Sequence, residues 1–288
     1  MRRKKKHKCG LVSILGFPNA GKSTLLNNIL DKKVSIISPK AQTTRDAVRG
    51  IYNKEYDQII FIDTPGILKP KSFLNKGMSR SINNSIIESD INLIVHDVRL
   101  NIDEPKKKIL RTLVNRHKKN FLVLNKIDLI EKNQLFEITR KINDFYRFNE
   151  IFYISALRKK GFRELIKKIR DNIPYNQWIY DKHIITDKKI EFILSEITRE
   201  KIFQLLNQEL PYNMKVETKL VDKLNLFKVY QTIYINKKSQ KPILIGKNGC
   251  KIKEIGIRAR KDIEIKLKRK VFLDILVSQE TNKSITNK

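Results

Sequence analysis

The chain is short of cysteine, of long apolar runs and of acid, and each shortage excludes something. Its two cysteines, Cys9 and Cys250, stand far apart and match no metal-ligand spacing. They exclude a disulfide framework and point to a reducing cytoplasm. No apolar run approaches the ~20 residues that cross a bilayer, so no membrane-spanning helix is expected. The charged start, Met1 to Lys8, has no apolar core behind it and does not read as a secretory signal. Against 61 Lys+Arg there are only 30 Asp+Glu, a formal charge of +31 over 288 residues. That balance implies a polyanionic partner such as nucleic acid or anionic lipid.

The positive charge is not spread evenly. Residues 181–288 carry 24 basic and 13 acidic residues, and 237–270 alone carry 13 and 3, so one segment holds almost all the excess of the C-terminal third. A further six basic residues lie in Met1 to Lys8. Residues 1–9 therefore read as a basic flexible arm.

What is present next is alternation. Leu11–Leu15, Ile59–Ile62, Leu93–Val95, Phe121–Leu124 and Ile151–Ile154 are short continuous apolar runs, as parallel strands covered on both faces require. Helical patterns lie between them at Lys22–Leu30, Arg80–Glu88, Pro105–Arg116, Gln134–Phe145 and Gly161–Asn172. This order predicts an α/β fold, a doubly wound sheet over 10–173 with its ligand at the carboxyl ends of the strands. After Ile173 and Pro174 the period is lost, so 174–189 reads as a linker. Residues 190–277 then read α-β-β-α-α-β, a smaller α+β domain. Its elements are a helix over Ile190–Leu206, strands at Met214–Lys219 and Val229–Ile235, a basic helix over Lys251–Leu267 and a strand at Phe272–Val277. Residues 278–288 form a polar tail.

The chemistry is carried by short motifs in a fixed order. In Gly16-Phe17-Pro18-Asn19-Ala20-Gly21-Lys22-Ser23, followed by Thr24, glycines let backbone N–H groups wrap a phosphate chain and the next helix aims its N-terminus at the anion. Lys22 reaches the β- and γ-phosphates, and Ser23 supplies a magnesium ligand. Asp63-Thr64-Pro65-Gly66 ends an apolar strand, where Asp63 holds magnesium through water and the Gly66 N–H touches the γ-phosphate. Gln42-Thr43-Thr44-Arg45 lies where a mobile loop is expected. Thr44, with Thr43 as the alternative, offers a further magnesium ligand. Asn125-Lys126-Ile127-Asp128 names the base. An aspartate at that position accepts two hydrogen bonds from guanine, and adenine would leave it buried and unpaired. Ser155-Ala156-Leu157 places a backbone N–H on guanine O6. GTP and GDP are thus the expected ligands.

Taken together these motifs resemble the Era-type GTPases of the TrmE–Era–EngA group. The resemblance implies slow intrinsic hydrolysis, because Ile67 stands where Ras-like enzymes carry a water-orienting glutamine. It also implies that Asn19 helps bind a potassium ion. In the second domain, Ile245-Gly246-Lys247-Asn248-Gly249 is a GxxG loop inside the basic segment, as in KH modules that clamp about four nucleotides of single strand. Ile243, Ile245, Ile252 and Ile255 are expected to line the groove for bases. Lys247, Lys251, Lys253, Arg258 and Arg260 are expected to meet phosphates. Ser195 to Lys201, Glu209 to Tyr212 and Glu254 to Lys261 extend the resemblance over roughly 10–277.

The family implies a monomeric cytoplasmic switch. It binds single-stranded ribosomal RNA near the 3′ end of the small-subunit RNA and assists small ribosomal subunit assembly. Two alternatives stay open from the residues themselves. One is a nucleotide-sensing RNA-binding module with negligible hydrolysis. The other is a peripheral membrane GTPase with its basic arm on the anionic inner face of the cell membrane.

Overall fold

The computed structural model describes residues 7–37, 47–67, 76–114, 117–206, 214–223 and 226–279. They form two compact units that divide between Asp187 and Lys188. Nine elements of the first unit were legible as apolar or helical patterns: β1 (Lys8–Gly16), α1 (Lys22–Leu30), β3 (Asp57–Asp63), α2 (Lys76–Glu88), β4 (Ile91–Asp97), α3 (Glu104–Leu113), β5 (Lys119–Asn125), α4 (Lys132–Asn143) and α5 (Phe162–Asn172), with β6 (Glu150–Ile154) beside β5 as a tenth. The expected arm is shorter than 1–9, because Lys8 and Cys9 already pair with β3.

One strand was not anticipated. β2 (Val48–Lys54) runs antiparallel to β3 at the edge of a six-stranded sheet ordered β2-β3-β1-β4-β5-β6, whose other pairings are parallel. Arg49, Gly50 and Asn53 interrupt any apolar run there. The central strands are covered on both faces. Ile14, Val95 and Val123 pack with Leu25 and Leu26 of α1 and Leu165 and Ile169 of α5. Their strand neighbours Leu15, Ile94, Leu122 and Leu124 pack with Ile82 and Ile86 of α2 and Ile109 and Leu110 of α3. Period-two side-chain alternation thus splits each apolar run between two cores.

The segment expected as a linker is packed onto the first unit as far as Asp187. Trp178, Tyr180 and Ile184 cover Cys9, Ile51 and Ile60. Gln58, fully buried in β3, fastens it: its Oε1 accepts from Ile179 N at 2.9 Å and Tyr180 N at 3.0 Å, and its Nε2 donates to Tyr180 O at 2.7 Å. A side chain here satisfies backbone groups that a neighbouring strand would otherwise take.

The second unit follows the expected order: α6 (Ile190–Leu205), β7 (Lys215–Lys223), β8 (Leu226–Ile235), α7 (Gln240–Ile245), α8 (Cys250–Leu267) and β9 (Val271–Gln279). Its sheet runs β7-β8-β9, with β7 antiparallel and β9 parallel to β8. Ile255, Ala259 and Ile263 of α8 are fully buried, a stripe at four-residue spacing that fixes which face of the helix meets the sheet.

Candidate functional site

The first site lies at the carboxyl ends of β1, β3, β4, β5 and β6, where parallel strands leave a crevice. Gly21 precedes α1 with φ of 97°, and a Cβ there would stand 2.2 Å from Asn125 Nδ2. Only glycine meets both demands. Asn125 uses that close approach: its Nδ2 donates to Ala20 O at 2.7 Å, and its Oδ1 accepts from Lys126 N at 2.8 Å and Ala156 N at 2.9 Å. One amide therefore joins the phosphate loop, the base motif and the 155–157 loop. From α1, Asn28 Nδ2 donates to Ala156 O at 2.5 Å, a second brace on the same loop. Thr24 is half-buried in the first turn of α1.

Lys22 is buried, and its Nζ donates to Gly16 O at 3.2 Å and Phe17 O at 2.9 Å. Burial lowers its pKa to about 8, partly opposed by the nearby Asp63. Asp63 is fully buried at the end of β3, and its Oδ2 accepts from Ser23 Oγ at 2.7 Å. Burial pushes its carboxyl up, against Lys22 and the serine hydroxyls that favour the charged form. Its Oδ1 has no hydrogen-bond partner among the described residues. Gly66 is buried next to it, and Ile67 N donates to Gly16 O at 3.2 Å. The Ile67 side chain is 5% exposed and packs with Leu15, Phe17 and Ile82. Thr43 and Thr44 lie outside the described residues.

Asp128 is braced from the 155–158 loop. A hydrogen bond from Ser155 is the main reason its carboxyl is held below the usual range, and Arg158 Nε adds an ion pair at 3.4 Å. Ser155 N donates to Lys160 O at 3.2 Å and Ala156 N to Asn125 Oδ1 at 2.9 Å, which ties the loop expected to read guanine O6 to the base motif.

Two residues here were missed from the sequence. Lys126 Nζ donates at 2.7 Å both to Asn19 O and to Asp97 Oδ2. Asp97 closes β4 and is 2% exposed. Burial opposes its charge, but hydrogen bonds from Arg99 and Lys126 outweigh that and bring its pKa to about 2. Asp97 thus anchors the lysine that holds the phosphate loop at Asn19. Arg158 was the other omission. A carboxylate at the end of a buried strand was the available signal for Asp97; for Arg158 there was none.

The second site is the turn between α7 and α8. Lys247–Gly249 form one tight turn in which Asn248 and Gly249 are left-handed, at φ of 50° and 76°. A Cβ on Gly249 would meet nothing within 4 Å, so packing inside the protein does not require glycine there beyond its φ. Beside it lies a cavity of about 290 Å³ lined by Ile252, Lys253, Gly256, Ile257, Arg260, Leu273 and Ile275. The expected apolar groove is corrected accordingly. Ile252 lines it, Ile255 is core, and Ile243 on α7 is exposed outside it. Lys253 and Arg260 stand at the groove, whereas Arg258 pairs with Glu254 on the neighbouring flank of α8. Lys247, Asn248 and Lys251 are exposed and Ile245 is half-buried.

Comparison with known proteins finds one family model in each unit. The family model described as 50S ribosome-binding GTPase matches residues 11–126, and the KH domain model matches 209–282. GTPase Era of Staphylococcus epidermidis is 39% identical over 273 residues, covering 94% of this chain and 91% of that protein. The chain belongs to the Era family of GTPases. The Era protein of Ehrlichia ruminantium (strain Gardel) is 37% identical, over 94% of this chain and 92% of its own. Two solved Era structures share the fold. One is Era in complex with MgGDPNP and nucleotides 1506–1542 of 16S ribosomal RNA, with TM-score 0.90, 36% identity and coverage of 96% and 95%. The other is an Aquifex aeolicus Era variant bound to GDP.AlF4-, with TM-score 0.89, 36% identity and the same coverage. As an Era-family member the chain binds guanine nucleotides and hydrolyses GTP. Among the described residues no helix is long and apolar enough to cross a membrane.

Proposed function

We propose that this Era-family protein is a GTP-controlled RNA-binding switch. It grips single-stranded RNA near the 3′ end of small-subunit ribosomal RNA and so assists assembly of the small ribosomal subunit. The relative solved with 16S ribosomal RNA nucleotides supports the reading. The observation that carries it to this chain is Gly249, a left-handed glycine with open space at its Cβ position, three residues before Ile252, which lines an apolar groove. An RNA backbone needs such an opening to approach protein backbone closely. Gly246, Lys247, Asn248 and Gly249 take the backbone, Ile252, Ile257, Leu273 and Ile275 take the bases, and Lys251, Lys253 and Arg260 take phosphates. Gly249→Asp adds a carboxylate in that opening, at about 1–2 kcal/mol of backbone strain. Its affinity for a labelled single strand of the 16S 3′ end is expected to fall at least tenfold, on the order of 1.4 kcal/mol. GTP affinity should not change. Fluorescence anisotropy reads both, and undiminished RNA binding overturns the reading.

The reading assigns magnesium to Ser23 and Asp63, with Thr44 as a further ligand. Asp63 fits a hard cation, since one carboxylate oxygen is buried without a hydrogen-bond partner among the described residues while the other is held beside the Ser23 hydroxyl. Magnesium held there would neutralise negative charge on the phosphates. The remaining work falls to the chain itself. Lys22 leaves the loop carbonyls for the phosphates, the Gly66 N–H meets the γ-phosphate, and Asp128 accepts from guanine while a backbone N–H of Ser155-Ala156-Leu157 takes O6. Ile67 is sealed in the core and orients no water, so positive charge from another source must offset the transition state. We assign that source to potassium held with Asn19, on the loop that Lys126 fastens. Single-turnover GTP cleavage should run about tenfold or more faster in potassium than in sodium, and Asn19→Ala should remove the difference. Equal rates in both salts remove potassium from the reading.

A further inference from the structure

Asp63 is held by two hydroxyls. Its Oδ2 accepts from Ser23 Oγ at 2.7 Å and also from Ser35 Oγ at 2.8 Å, while Oδ1 is buried with no hydrogen-bond partner among the described residues. Ser23 belongs to the phosphate loop. Ser35 belongs to no nucleotide motif. It lies beyond α1, is 3% exposed, and reaches a carboxylate 28 residues away. Helix hydroxyls such as Ser85 Oγ and Thr112 Oγ1 bond to their own helix, at Ser81 O and Ile109 O, and the buried Ser13 and Thr64 hydroxyls bond to an amide and a backbone carbonyl of other strands. Ser35 Oγ instead bonds to the Asp63 carboxylate.

Its position is set with unusual care. Asn27 of α1, 7% exposed, donates from Nδ2 to Ser35 O at 2.6 Å and accepts at Oδ1 from Val34 N at 2.9 Å and Ser35 N at 3.0 Å. An amide side chain offers two donors and a carbonyl oxygen with two lone pairs. Here three of those four positions are used on two adjacent residues. The helix that follows the phosphate loop thereby fixes the serine that reaches the magnesium aspartate.

We infer that Ser35, placed by Asn27, is a positioning residue for magnesium: it ties down Oδ2 of Asp63 so that the bare Oδ1 is the oxygen presented to the hydrated ion. The inference rests on the magnesium reading given above. A terminal carboxylate torsion is broad and nearly two-fold, so burial alone does not choose which oxygen faces the ion. Ser23 cannot settle that choice by itself, because its own oxygen is a metal ligand. Ser35 is a donor that the metal does not use.

Groups that orient metal ligands typically change metal affinity 10–100-fold when removed. The test is release of fluorescent GDP from the full chain, in excess magnesium and in chelator, for the unmodified protein, Ser35→Ala and Ser35→Cys. Cysteine fills the serine's space but donates weakly, which covers the case in which alanine impairs folding. In chelator all three should release GDP within about twofold of one another. In magnesium both variants should release it about tenfold faster than the unmodified protein, and should need about 10–100-fold more magnesium for half-maximal retention. Release by Ser35→Cys that matches the unmodified protein in magnesium overturns the inference. So does acceleration that is equal with and without magnesium, since that is damage to the nucleotide site at large. If the unmodified protein itself releases GDP equally fast with and without magnesium, the magnesium reading fails first.

Discussion

Lys22→Met is expected to lower single-turnover GTP cleavage by about 10²–10³-fold, the usual loss when one charged or dipolar group is withdrawn from a transferring phosphoryl group. Methionine keeps the apolar stem and the packing under the loop, so the loss reports charge and not shape. In the ligand-free protein that charge is already strained: Lys22 is buried and its pKa stands at about 8, well below the ordinary lysine value of 10.5. The sign of the pH effect follows. Above pH 8 the free protein loses this proton, but the phosphates favour the charged form and raise its pKa in the complex. GTP binding therefore takes up a proton, and affinity falls as pH rises through that window. Between pH 7 and pH 9 a group titrating near 8 changes from mostly charged to mostly neutral, an affinity loss of about tenfold. Guanine also titrates toward the upper end. Lys22→Met retains that contribution and should lose the rest, so the difference between the two titration curves isolates the lysine. Calorimetry across the range reads it, and parallel curves contradict the assignment.

Much of this molecule was readable because its signals are local. The phosphate loop, the aspartate at the end of β3 and the Asn125 motif each occupy a few consecutive residues, and strands covered on both faces read as unbroken apolar runs. What escaped the sequence depends on contacts between distant residues. β2 has no apolar run because it is an edge strand with a charged and a glycine residue in its middle. Residues 175–187 showed no period because isolated contacts hold their backbone in place of a ladder: Gln58 bonds Ile179 and Tyr180, Asn53 bonds Lys182 O, and Ile51 N bonds Ile185 O. Ser35 and Asp97 look like ordinary polar residues until α1 and the Asn125 motif fold against them. Ile255 is a different kind of error. Its helical stripe with Ala259 and Ile263 was visible in the sequence and marks core, but proximity to the GxxG loop was given more weight than periodicity.

Asp128→Asn is expected to weaken GTP binding by about 100-fold or more. The carboxylate accepts from two guanine donors, and hydrogen bonds to a charged acceptor contribute about 1.5–3 kcal/mol each. The protein keeps this carboxylate ready: Ser155 donates to it and Arg158 lies 3.4 Å away, both favouring ionisation. Asparagine replaces one acceptor oxygen with an N–H₂ donor. Against the exocyclic amine of guanine that is donor facing donor, the worst pairing available, and it leaves two buried donors unsatisfied. Xanthine carries a carbonyl in place of that amine, so the same substitution should strengthen binding of xanthosine triphosphate while it weakens GTP. Inversion of preference is the diagnostic, because simple damage to the pocket weakens both. RNA binding by the nucleotide-free protein should be untouched, since the GxxG groove is built in the other unit from α8 and β9. If Asp128→Asn weakens RNA binding in the absence of nucleotide as much as it weakens GTP, the two sites are not the separate binding surfaces argued for above. If it leaves GTP preference over xanthosine triphosphate intact, Asp128 is not the residue that reads the base.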